Sequence, residues 1–428
     1  MIVTGNLLWR CVPLIGHMSL ICLFSADVDA QEVYRETTYQ YGASNYVHFS
    51  ELDPDTKRVF TGEHASMATM KRHVPKPLQL DLVHATRAEL SVEYWGGHIG
   101  TGGQRFRVNN HEWIDLPQPA NTPAEPQRFY RVLHGNNSVP IPLEQLHNGE
   151  NFFQFTAGKQ VAYSNDWGFF WIYDFTVRIF YDAMQKPHVS GEVVSLTDNG
   201  KFGDVIRLEA VANKSADDIA RVDFIGEYED FDWDGDGVWR EWQYVTHHGV
   251  MAHHLGTVKS TPWRIKHDAR WLPDQSQAIR SRALITDKNG ITYATAPIGL
   301  TQSRSRRGVR MIQPTHVPER WASRASKESA TGTFVLTEDD LKDASFARLA
   351  ISTWSGDVDD TSVHELRLNG ERLASRFGEF HNYDLDLLEV PLDRLKQGVN
   401  EISTYSTFMG HMFEINWPGP ALLIEYSK

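Results

Sequence analysis

Short segments in which apolar and polar residues alternate recur along the chain. Residues 88–95 and 347–354 are the clearest examples, and each ends in Trp. Because successive side chains of a β-strand point to opposite faces, this pattern is typical of a strand with one buried face. The Asn-Asn pair at 109–110 and the Asn-Gly pair at 369–370 are turn signals, since both residue types tolerate a positive φ. The pattern predicts an all-β protein built of antiparallel sheets.

These segments belong to two copies of one pattern. In both copies a Pro-Leu-x-x-Leu-x-x-Gly-x-Asn block follows the alternating segment and the turn, at 142–151 and at 391–400. The two Leu residues of the block lie three positions apart, on one side of a short helical turn that the Gly can end. An apolar strand closes each copy, at 175–181 and at 421–426. Four matching blocks in the same order predict two related modules.

The order strand, turn, strand, helical turn and strand resembles that of galactose-binding-like jelly-roll modules. In that family the helical turn covers one end of a β-sandwich. The resemblance implies a jelly-roll β-sandwich at residues 31–186 and a second one at 311–428. The matching blocks are moderately specific for the fold and only weakly specific for the ligand.

The segment between the two copies has a different pattern. Its blocks stand at residues 222–226, 255–257, 261–268, 272–275, 279–287 and 289–290. Their order resembles that of bacterial immunoglobulin-like modules, which implies an immunoglobulin-like β-sandwich at 187–302. Residues 303–310 include a run of Ser and Arg and are predicted to form a flexible linker. The predicted architecture is three β-sandwich modules in the order jelly roll, immunoglobulin-like, jelly roll.

The most specific chemical motif lies in an insert of the middle segment, where the immunoglobulin-like family has a short hairpin. Asp230, Asp232, Asp234 and Asp236 occupy alternate positions there, and Gly237 follows them. Carboxylates spaced in this way can converge on one hard cation, and Gly permits the tight turn that brings them together. The motif predicts a metal site.

The acidic loop is not a complete EF-hand. Counted from Asp232, the twelfth position holds Gln243 instead of Glu, and Glu241 is near it in a different register. The loop resembles the Asp-x-Asp-Gly-Asp-Gly calcium loops of extracellular bacterial modules, which implies a structural Ca²⁺. The alternative is a solvated acidic hairpin tip. His pairs follow at 247–248 and 253–254, and neighbours in a strand point to opposite faces, so each pair is predicted to offer one metal ligand per face.

Two aromatic loops supply the candidate ligand-binding residues, which are Trp167 and Trp171 in the first copy and His411, Glu414, Asn416 and Trp417 in the last. Aromatic rings pack against sugar C–H groups, while carboxylate and amide groups bind sugar hydroxyls. Burial in the core is the other interpretation of the two Trp residues. The sequence contains no nucleophile elbow, P-loop or dinucleotide fingerprint, so catalytic residues stay unknown.

The first thirty residues differ in composition from the rest. Arg10 precedes a mostly apolar stretch at 11–24, and Val28 and Ala30 are small residues at the spacing of a cleavage site. This pattern predicts a secretory signal peptide at residues 1–30, after whose removal no membrane span remains. Both cysteines of the chain lie in this stretch, which excludes disulfides and thiol chemistry from the mature protein. We therefore expect a secreted, periplasmic or cell-surface protein of a bacterial envelope.

The length and net charge of the chain limit the classes of function that the protein can have. The 428 residues exceed what one hydrophobic core usually serves, and the net charge of -13 is a poor match for nucleic acid. The favoured hypothesis is a non-catalytic protein that binds an extracellular polysaccharide or a cell-surface glycan. A secreted polysaccharide lyase or glycoside hydrolase is the first alternative, and a calcium-stabilised structural envelope protein is the second. Sandwich folds host all three roles, so the fold cannot choose among them.

Overall fold

The structure is a computed structural model. It describes residues 31–40, 47–50, 75–119, 128–158, 161–162, 169–325, 330–356, 363–374, 376–380, 382–409 and 412–428. The predicted signal peptide at 1–30 and the candidate residues Trp167 and His411 lie outside the described residues. Among the described residues, no helix is long and apolar enough to cross a membrane.

Strands dominate the described chain, which confirms the prediction of an all-β sandwich protein. The first segment, residues 31–186, contains β1 (Glu32–Gln40), β2 (Val47–Ser50), β3 (Lys76–Leu80), β4 (Ala85–Trp95), β5 (Arg105–Val108), β6 (Ile114–Asp115), β7 (Val132–Ile141), β8 (Gly149–Thr156) and β9 (Phe169–Tyr181). A 3-10 turn at Leu143–Gln145 lies at the predicted helical turn.

The middle segment, residues 187–302, is also built of strands. They are β10 (Gly191–Ser195), β11 (Lys201–Phe202), β12 (Val205–Ala212), β13 (Ile219–Glu229), β14 (Arg240–Gln243), β15 (Val245–His247), β16 (Val250–Ala252), β17 (Gly256–Val258), β18 (Arg264–Asp268), β19 (Ile279–Asp287), β20 (Ile291–Ala294) and β21 (Ile298–Gln302). Short 3-10 turns occur at Asp198–Gly200 and Ala216–Asp218.

The last segment, residues 303–428, is again built mainly of strands. It contains β22 (Arg307–Ile312), β23 (Ala322–Ser323), β24 (Thr331–Leu336), β25 (Ala344–Trp354), β26 (His364–Leu368), β27 (Glu371–Ala374), β28 (Tyr383–Val390), β29 (Gly398–Ser406), β30 (Phe413–Ile415) and β31 (Ala421–Ser427). One helical turn, α1 (Glu338–Leu341), and a 3-10 turn at Leu392–Arg394 complete it.

Two sheets enclose a core in each outer segment. In the first segment, the sheet β3-β8-β5-β6 lies opposite the strands β1, β9, β4 and β7, and residues such as Phe106, Phe153 and Phe175 are fully buried between them. In the last segment, the sheet β24-β29-β26-β27 lies opposite β22-β31-β25-β30-β23 around Leu349 and Ile424. Alternation along each strand decides which side chains reach these cores.

Strand β1 connects the first segment to the middle one. It pairs with β9 on one edge and with β20 on the other, for example at Tyr34↔Phe180 and Glu32↔Ala294. Hydrogen bonding therefore continues from β7 through β1 into β19 and β21 as one sheet. The module boundary at 186–187 stays a sequence-based prediction, and the described sheet runs across it.

Residues 303–310, predicted as a flexible linker, are held by ion pairs. The side chain of Arg304 is 2% exposed, and its Nε lies 3.0 Å from Asp204 Oδ1. Arg307 lies 2.8 Å from the same Asp204 atom and 2.5 Å from Glu425 Oε2. Because these acids are about a hundred residues away along the chain, sequence proximity gave no sign of them. The segment is anchored to both of its neighbours.

The outer surfaces of the first and last segments face each other. Trp95 in β4 and Trp354 in β25 are buried and stack with ring centroids 5.9 Å apart. Trp171 of β9 packs on both, at 4.8 Å and 5.2 Å. The insert between β13 and β17 lies at the same junction, where Phe231 belongs to one buried cluster with Ala350 of β25.

Candidate metal centre, polar junction and open sheet face

The acidic loop between β13 and β14 brings four carboxylates together. One carboxylate oxygen of each of Asp232, Asp234, Asp236 and Glu241 lies within 4.8 Å of the others, so this group could hold a metal ion. The loop folds around Asp232, whose carboxylate accepts the N–H groups of Gly235 at 2.8 Å, Asp236 at 3.1 Å and Gly237 at 2.8 Å. These hydrogen bonds turn the chain so that the alternate Asp side chains converge.

Glycine is required at the tip of this loop. Gly235 has a φ of +73°, and a Cβ there would lie 2.5 Å from the carbonyl oxygen of Val132 in β7. The carbonyl oxygen of Trp417, from the last segment, would be 3.4 Å from the same Cβ. The loop is therefore wedged between the two outer segments, and an ion bound in it would stabilise the junction of all three.

The electrostatics of the loop favour a cation. Asp234 is 1% exposed, and its Oδ2 has no hydrogen-bond partner among the described residues. Burial, and then the charges of Glu241, Asp232 and Asp236, raise the pKa of Asp234 well above its usual range. Burial and the charges of Asp236 and Asp232 raise the pKa of Glu241 to about 9. A buried oxygen without a donor and four repelling acids fit a site for a hard divalent cation, which prefers carboxylate oxygens.

Three of the four carboxylates predicted from the sequence belong to this group. Asp230 lies outside it: its carboxylate accepts the N–H of Phe231 at 2.8 Å and hydrogen-bonds to Trp233. Glu241 takes the remaining place, although the EF-hand spacing points to Gln243. The amide of Gln243 instead donates to the carbonyl oxygens of Tyr228 and Trp239, at 3.2 and 3.3 Å.

A row of polar side chains crosses the outer surface of the first segment. Gln40, Asp174, Glu93 and His134 are direct cross-strand neighbours on β1, β9, β4 and β7. Residues that face each other in this way project from the same side of the sheet. Glu93, Asp174 and His134 are all buried, so the row is a polar layer inside the junction.

The hairpin of β15 and β16 covers this row with its turn. The backbone N–H groups of His248 and Gly249 donate to the two carboxylate oxygens of Glu93, at 2.9 and 3.2 Å. The hydroxyl of Tyr383, from the last segment, also donates to Glu93. Gly249 has a φ of +75°, a left-handed conformation that favours glycine at this turn. The β15–β16 turn and the last segment therefore both contact the buried carboxyl group of Glu93 on the sheet of the first segment.

Burial shifts the acid–base behaviour of this layer, which we call the polar junction (Glu93, Asp174, His134, His248 and Tyr383). Burial, and then the charge of Asp174, raise the pKa of Glu93 well above its usual range. Burial raises the pKa of Asp174 to about 6. Burial and the charges of neighbouring histidines lower the pKa of His134 well below its usual range. Low-dielectric surroundings disfavour charge on all three groups, so Glu93 and His134 are held neutral in the polar junction, and Asp174 becomes charged only as the pH rises through about 6.

His247 and His248 lie between the buried groups of the polar junction and the solvent. His248 has a φ of +51°, and the rings of His247 and His248 lie on the same side with centroids 4.3 Å apart. This differs from the predicted opposite faces, because His248 is in the turn and not in a strand. His247 Nε2 lies 3.6 Å from Asp384 Oδ1, and His248 Nε2 lies 3.6 Å from Glu379 Oε2. The side chain of Glu379 is 52% exposed, so this edge is open to water.

A pH dependence follows from Asp174. Its pKa in the folded protein, about 6, is above its ordinary value of 3.8, so the folded state binds the proton more tightly. Stability from this group is therefore full below pH 4 and is lost as the pH rises through 6. Asp174→Asn keeps a neutral group, and we expect the variant to gain about 2 kcal/mol relative to wild type between pH 4.5 and 7.5. Urea unfolding of both proteins in saturating Ca²⁺ measures the difference, and a constant difference would contradict the assignment.

Three of the four candidate ligand residues that the structure describes are interior. Trp171, Glu414 and Asn416 are at most 5% exposed. Glu414 accepts a hydrogen bond from the indole of Trp95 at 3.2 Å, and burial raises the pKa of its carboxyl well above the usual range. Trp417 is half-buried and packs on Phe129 at 5.1 Å. The described members of this group support the junction, and their role in binding a ligand stays a prediction.

An open aromatic surface occurs elsewhere, on the outer side of the sheet β3-β8-β5-β6. Phe152 of β8 is 43% exposed there. The guanidinium of Arg107 lies 4.6 Å from the ring centre of Trp113, and that of Arg105 lies 5.5 Å from it. Arg107 Nε donates to Gln154 Oε1 at 2.7 Å. We call this surface the outer face of the first segment. The sequence analysis missed it, although the alternation in β5 and β8 already places these side chains opposite the core.

Comparisons with known proteins give little further information. No family model matches the sequence, and no curated protein matches it. Among solved structures, the chain is similar to a β-porphyranase of glycoside hydrolase family 86 from the human gut bacterium Bacteroides plebeius, with 12% identity and a TM-score of 0.23. The similarity covers 58% of this chain and 38% of the porphyranase.

A second similarity is to a DUF4785 family protein from Legionella pneumophila, with 9% identity and a TM-score of 0.22 over 92% of this chain and 84% of that one. TM-scores this low carry neither a fold nor a function over to this chain. The functional argument therefore rests on the residues themselves.

Proposed function

We propose that the mature chain is an exported, calcium-held β-sandwich protein that binds an extracellular glycan without cleaving it. The observation that carries the binding role is the outer face of the first segment, where an exposed Phe152 accompanies Trp113, Arg107 and Gln154. Aromatic rings with adjacent amide and guanidinium donors match the alternating apolar and polar surfaces of a sugar chain. The jelly-roll and immunoglobulin-like assignments of the segments belong to this proposal.

The calcium part of the proposal is supported by the carboxylate group of the insert. Asp232, Asp234, Asp236 and Glu241 would hold the ion, and its charge would offset the repulsion among them. The loop contacts the backbones of Val132 and Trp417, which belong to the first and last segments. The ion would therefore hold the segments together and take no part in chemistry. Export and a bacterial envelope location, predicted from residues 1–30, complete the proposal.

An enzyme is the second candidate, favoured by one observation. Tyr383 and Glu93 form a hydrogen-bonded acid pair, and the His248 ring lies between this pair and the solvent-exposed Glu379. Such groups could exchange protons with a saccharide, as lyases and glycoside hydrolases require. In the described chain, however, Tyr383 and Glu93 are fully buried, which favours binding over catalysis.

A polysaccharide pull-down with a product assay separates the candidates. Residues 31–428 are mixed with immobilised polysaccharides in Ca²⁺ or in chelator, and the same polysaccharides are assayed for new reducing or unsaturated ends. We expect binding without product. Product that disappears in Tyr383→Phe would establish the enzyme instead. If the protein neither binds nor cleaves any polysaccharide, the glycan proposal fails and a structural envelope role takes its place.

A further inference from the structure

The hairpin of β15 and β16 is held in place by contacts other than strand pairing with the large sheets. Its strands form a two-stranded sheet of their own, and its turn residues His248 and Gly249 have φ values of +51° and +75°. A two-stranded hairpin is marginally stable by itself in water. We call residues 245–252 the cover hairpin, because their turn lies on the buried Glu93. The position of this hairpin therefore depends on what lies at its two ends and at its turn.

The acidic loop lies at both ends of the cover hairpin. At the first end, Glu241 of the carboxylate group is in β14, and one residue separates β14 from β15. At the other end, His253 directly follows β16 and stacks on Trp233 with ring centroids 3.9 Å apart and planes at 22°. Trp233 stands between Asp232 and Asp234 in the sequence, and the buried Oδ2 of Asp234, without a hydrogen-bond partner among the described residues, points to an ion there. An ion that orders the loop therefore fixes both ends of the hairpin.

Apolar packing joins the acidic loop to the cover hairpin as well. Phe231 and Trp233 of the loop belong to one buried cluster with Val245 of β15, and Ala252 of β16 packs against this cluster. Protein interiors are close-packed, so side chains in one cluster depend on each other's positions. A loop that changes shape when its carboxylates repel one another would therefore take part of the packing surface away from the hairpin.

The turn of the cover hairpin is bound to the first segment. The N–H groups of His248 and Gly249 donate to Glu93 at 2.9 and 3.2 Å, and Gln40 Nε2 donates to the carbonyl oxygen of Gly249 at 3.3 Å. Val250, the residue after the turn, is 66% exposed, so this part of the hairpin faces solvent. The cover hairpin thus contacts the acidic loop at its ends and the polar junction at its turn.

We propose that Ca²⁺ in the acidic loop controls the cover hairpin, so that ion binding and the contact of the turn with Glu93 are energetically coupled. With the ion bound, the hairpin covers Glu93, Asp174 and His134. Without the ion, the turn leaves the sheet and these side chains become accessible to solvent. Such coupling is reciprocal, so the closed hairpin also raises the affinity of the loop for Ca²⁺. This inference rests on the calcium part of the proposed function and gives the ion a regulatory role.

Hydrogen exchange of residues 31–428, followed by mass spectrometry in Ca²⁺ and in chelator, tests the coupling. We expect peptides that contain the turn at 248–249 to exchange about tenfold or more faster in chelator. Peptides from β12, which belongs to the separate sheet β10-β12-β18, should change much less. Asp234→Asn should abolish the effect of Ca²⁺ on the turn, and Asp230→Asn should preserve it.

His253→Gly breaks the contact between loop and hairpin while all four carboxylates stay in place. Glycine tolerates the positive φ of +54° at this position, and it removes the ring that stacks on Trp233. We expect faster exchange of the turn in Ca²⁺ and an affinity for Ca²⁺ about tenfold lower in calorimetric titration. Glu93→Ala, which removes the acceptor of the turn, should also lower this affinity. His254→Ala is the matched control, since His254 forms its hydrogen bond with Thr257 at 2.7 Å, and it should behave like wild type.

The outcomes separate the coupling from the calcium site on which it rests. Wild-type protein that binds Ca²⁺ and shows the same turn exchange with and without it overturns the coupling and leaves the site in place. Exchange that rises equally in β12 overturns a local effect on the hairpin. Unchanged Ca²⁺ affinity in both His253→Gly and Glu93→Ala also overturns the coupling. Wild-type protein that binds no Ca²⁺ overturns the site and the inference together. Circular dichroism and the exchange of β12 show whether each variant is folded.

Discussion

Removing Ca²⁺ is expected to destabilise the protein by about 3 kcal/mol when the ion was present at about 100 times its Kd. The cause is the group formed by Asp232, Asp234, Asp236 and Glu241, whose carboxylates are buried or half-buried and repel one another without a cation. Thermal unfolding in Ca²⁺ and in chelator measures the loss. Without the ion, stability should also fall as the pH rises, because the folded-state pKa of Glu241, about 9, is above its ordinary value.

Asp234→Asn makes this expectation specific. In Ca²⁺ the variant should unfold at a lower temperature than wild type, because it loses a charged ligand. In chelator it should be at least as stable as wild type, because one repelling charge is gone. Asp230→Asn is the matched control, since Asp230 is in the same loop but outside the group, and its response to Ca²⁺ should persist. Equal responses of wild type and Asp234→Asn to the chelator would show that the ion is bound elsewhere.

The second large effect is expected at Glu93, in the polar junction. Glu93→Ala removes the acceptor of three donors, the buried Tyr383 hydroxyl and the part-buried N–H groups of His248 and Gly249. An unsatisfied buried donor costs about 1–3 kcal/mol and the two part-buried donors add to this, so the loss should be about 3 kcal/mol. Glu93→Gln keeps an acceptor oxygen and resembles the protonated carboxyl, and it should cost about 1 kcal/mol. Urea unfolding at pH 7 in saturating Ca²⁺ gives both values.

The two substitutions at Glu93 distinguish a protonated carboxyl group from an ionised one. Glu150→Ala, at an exposed position of the same segment, is the control and should change stability little. If Glu93→Gln is as damaging as Glu93→Ala, then Glu93 is ionised in the folded protein and the neutral polar junction is wrong. If neither substitution matters, the hairpin turn does not depend on this carboxyl group.

The local sequence pattern was enough to predict strands such as β4 and β25 and three of the four carboxylates of the metal loop. The alternation at 88–95 and 347–354 gave β4 and β25, because alternation is a property of a single strand in contact with a core. Asp232, Asp234 and Asp236 converge as their spacing predicted, since a tight turn with Gly determines their positions. The EF-hand spacing did not predict Glu241 as a metal ligand, because this loop returns into the strand β14 and not into a helix.

The junction could not be predicted, because it depends on contacts between distant segments. Glu93 looks like a solvent-facing residue of an alternating strand, and it is buried only because Tyr383 and the β15–β16 turn cover it. The two histidines share one side because His248 adopts a left-handed conformation that strand alternation does not anticipate. The anchoring of Arg304 by Asp204 is likewise a long-range contact. Sequence patterns report which face of a strand is apolar, and they do not report what covers the other face.

Calorimetric titration of Ca²⁺ into chelator-treated residues 31–428 tests the central claim of a calcium-held protein most directly. The four carboxylates predict one binding site per chain in wild type, loss of that site in Asp234→Asn, and its retention in Asp230→Asn. Wild-type protein that binds no Ca²⁺, or Asp234→Asn protein that binds it with unchanged affinity and stoichiometry, would contradict the account.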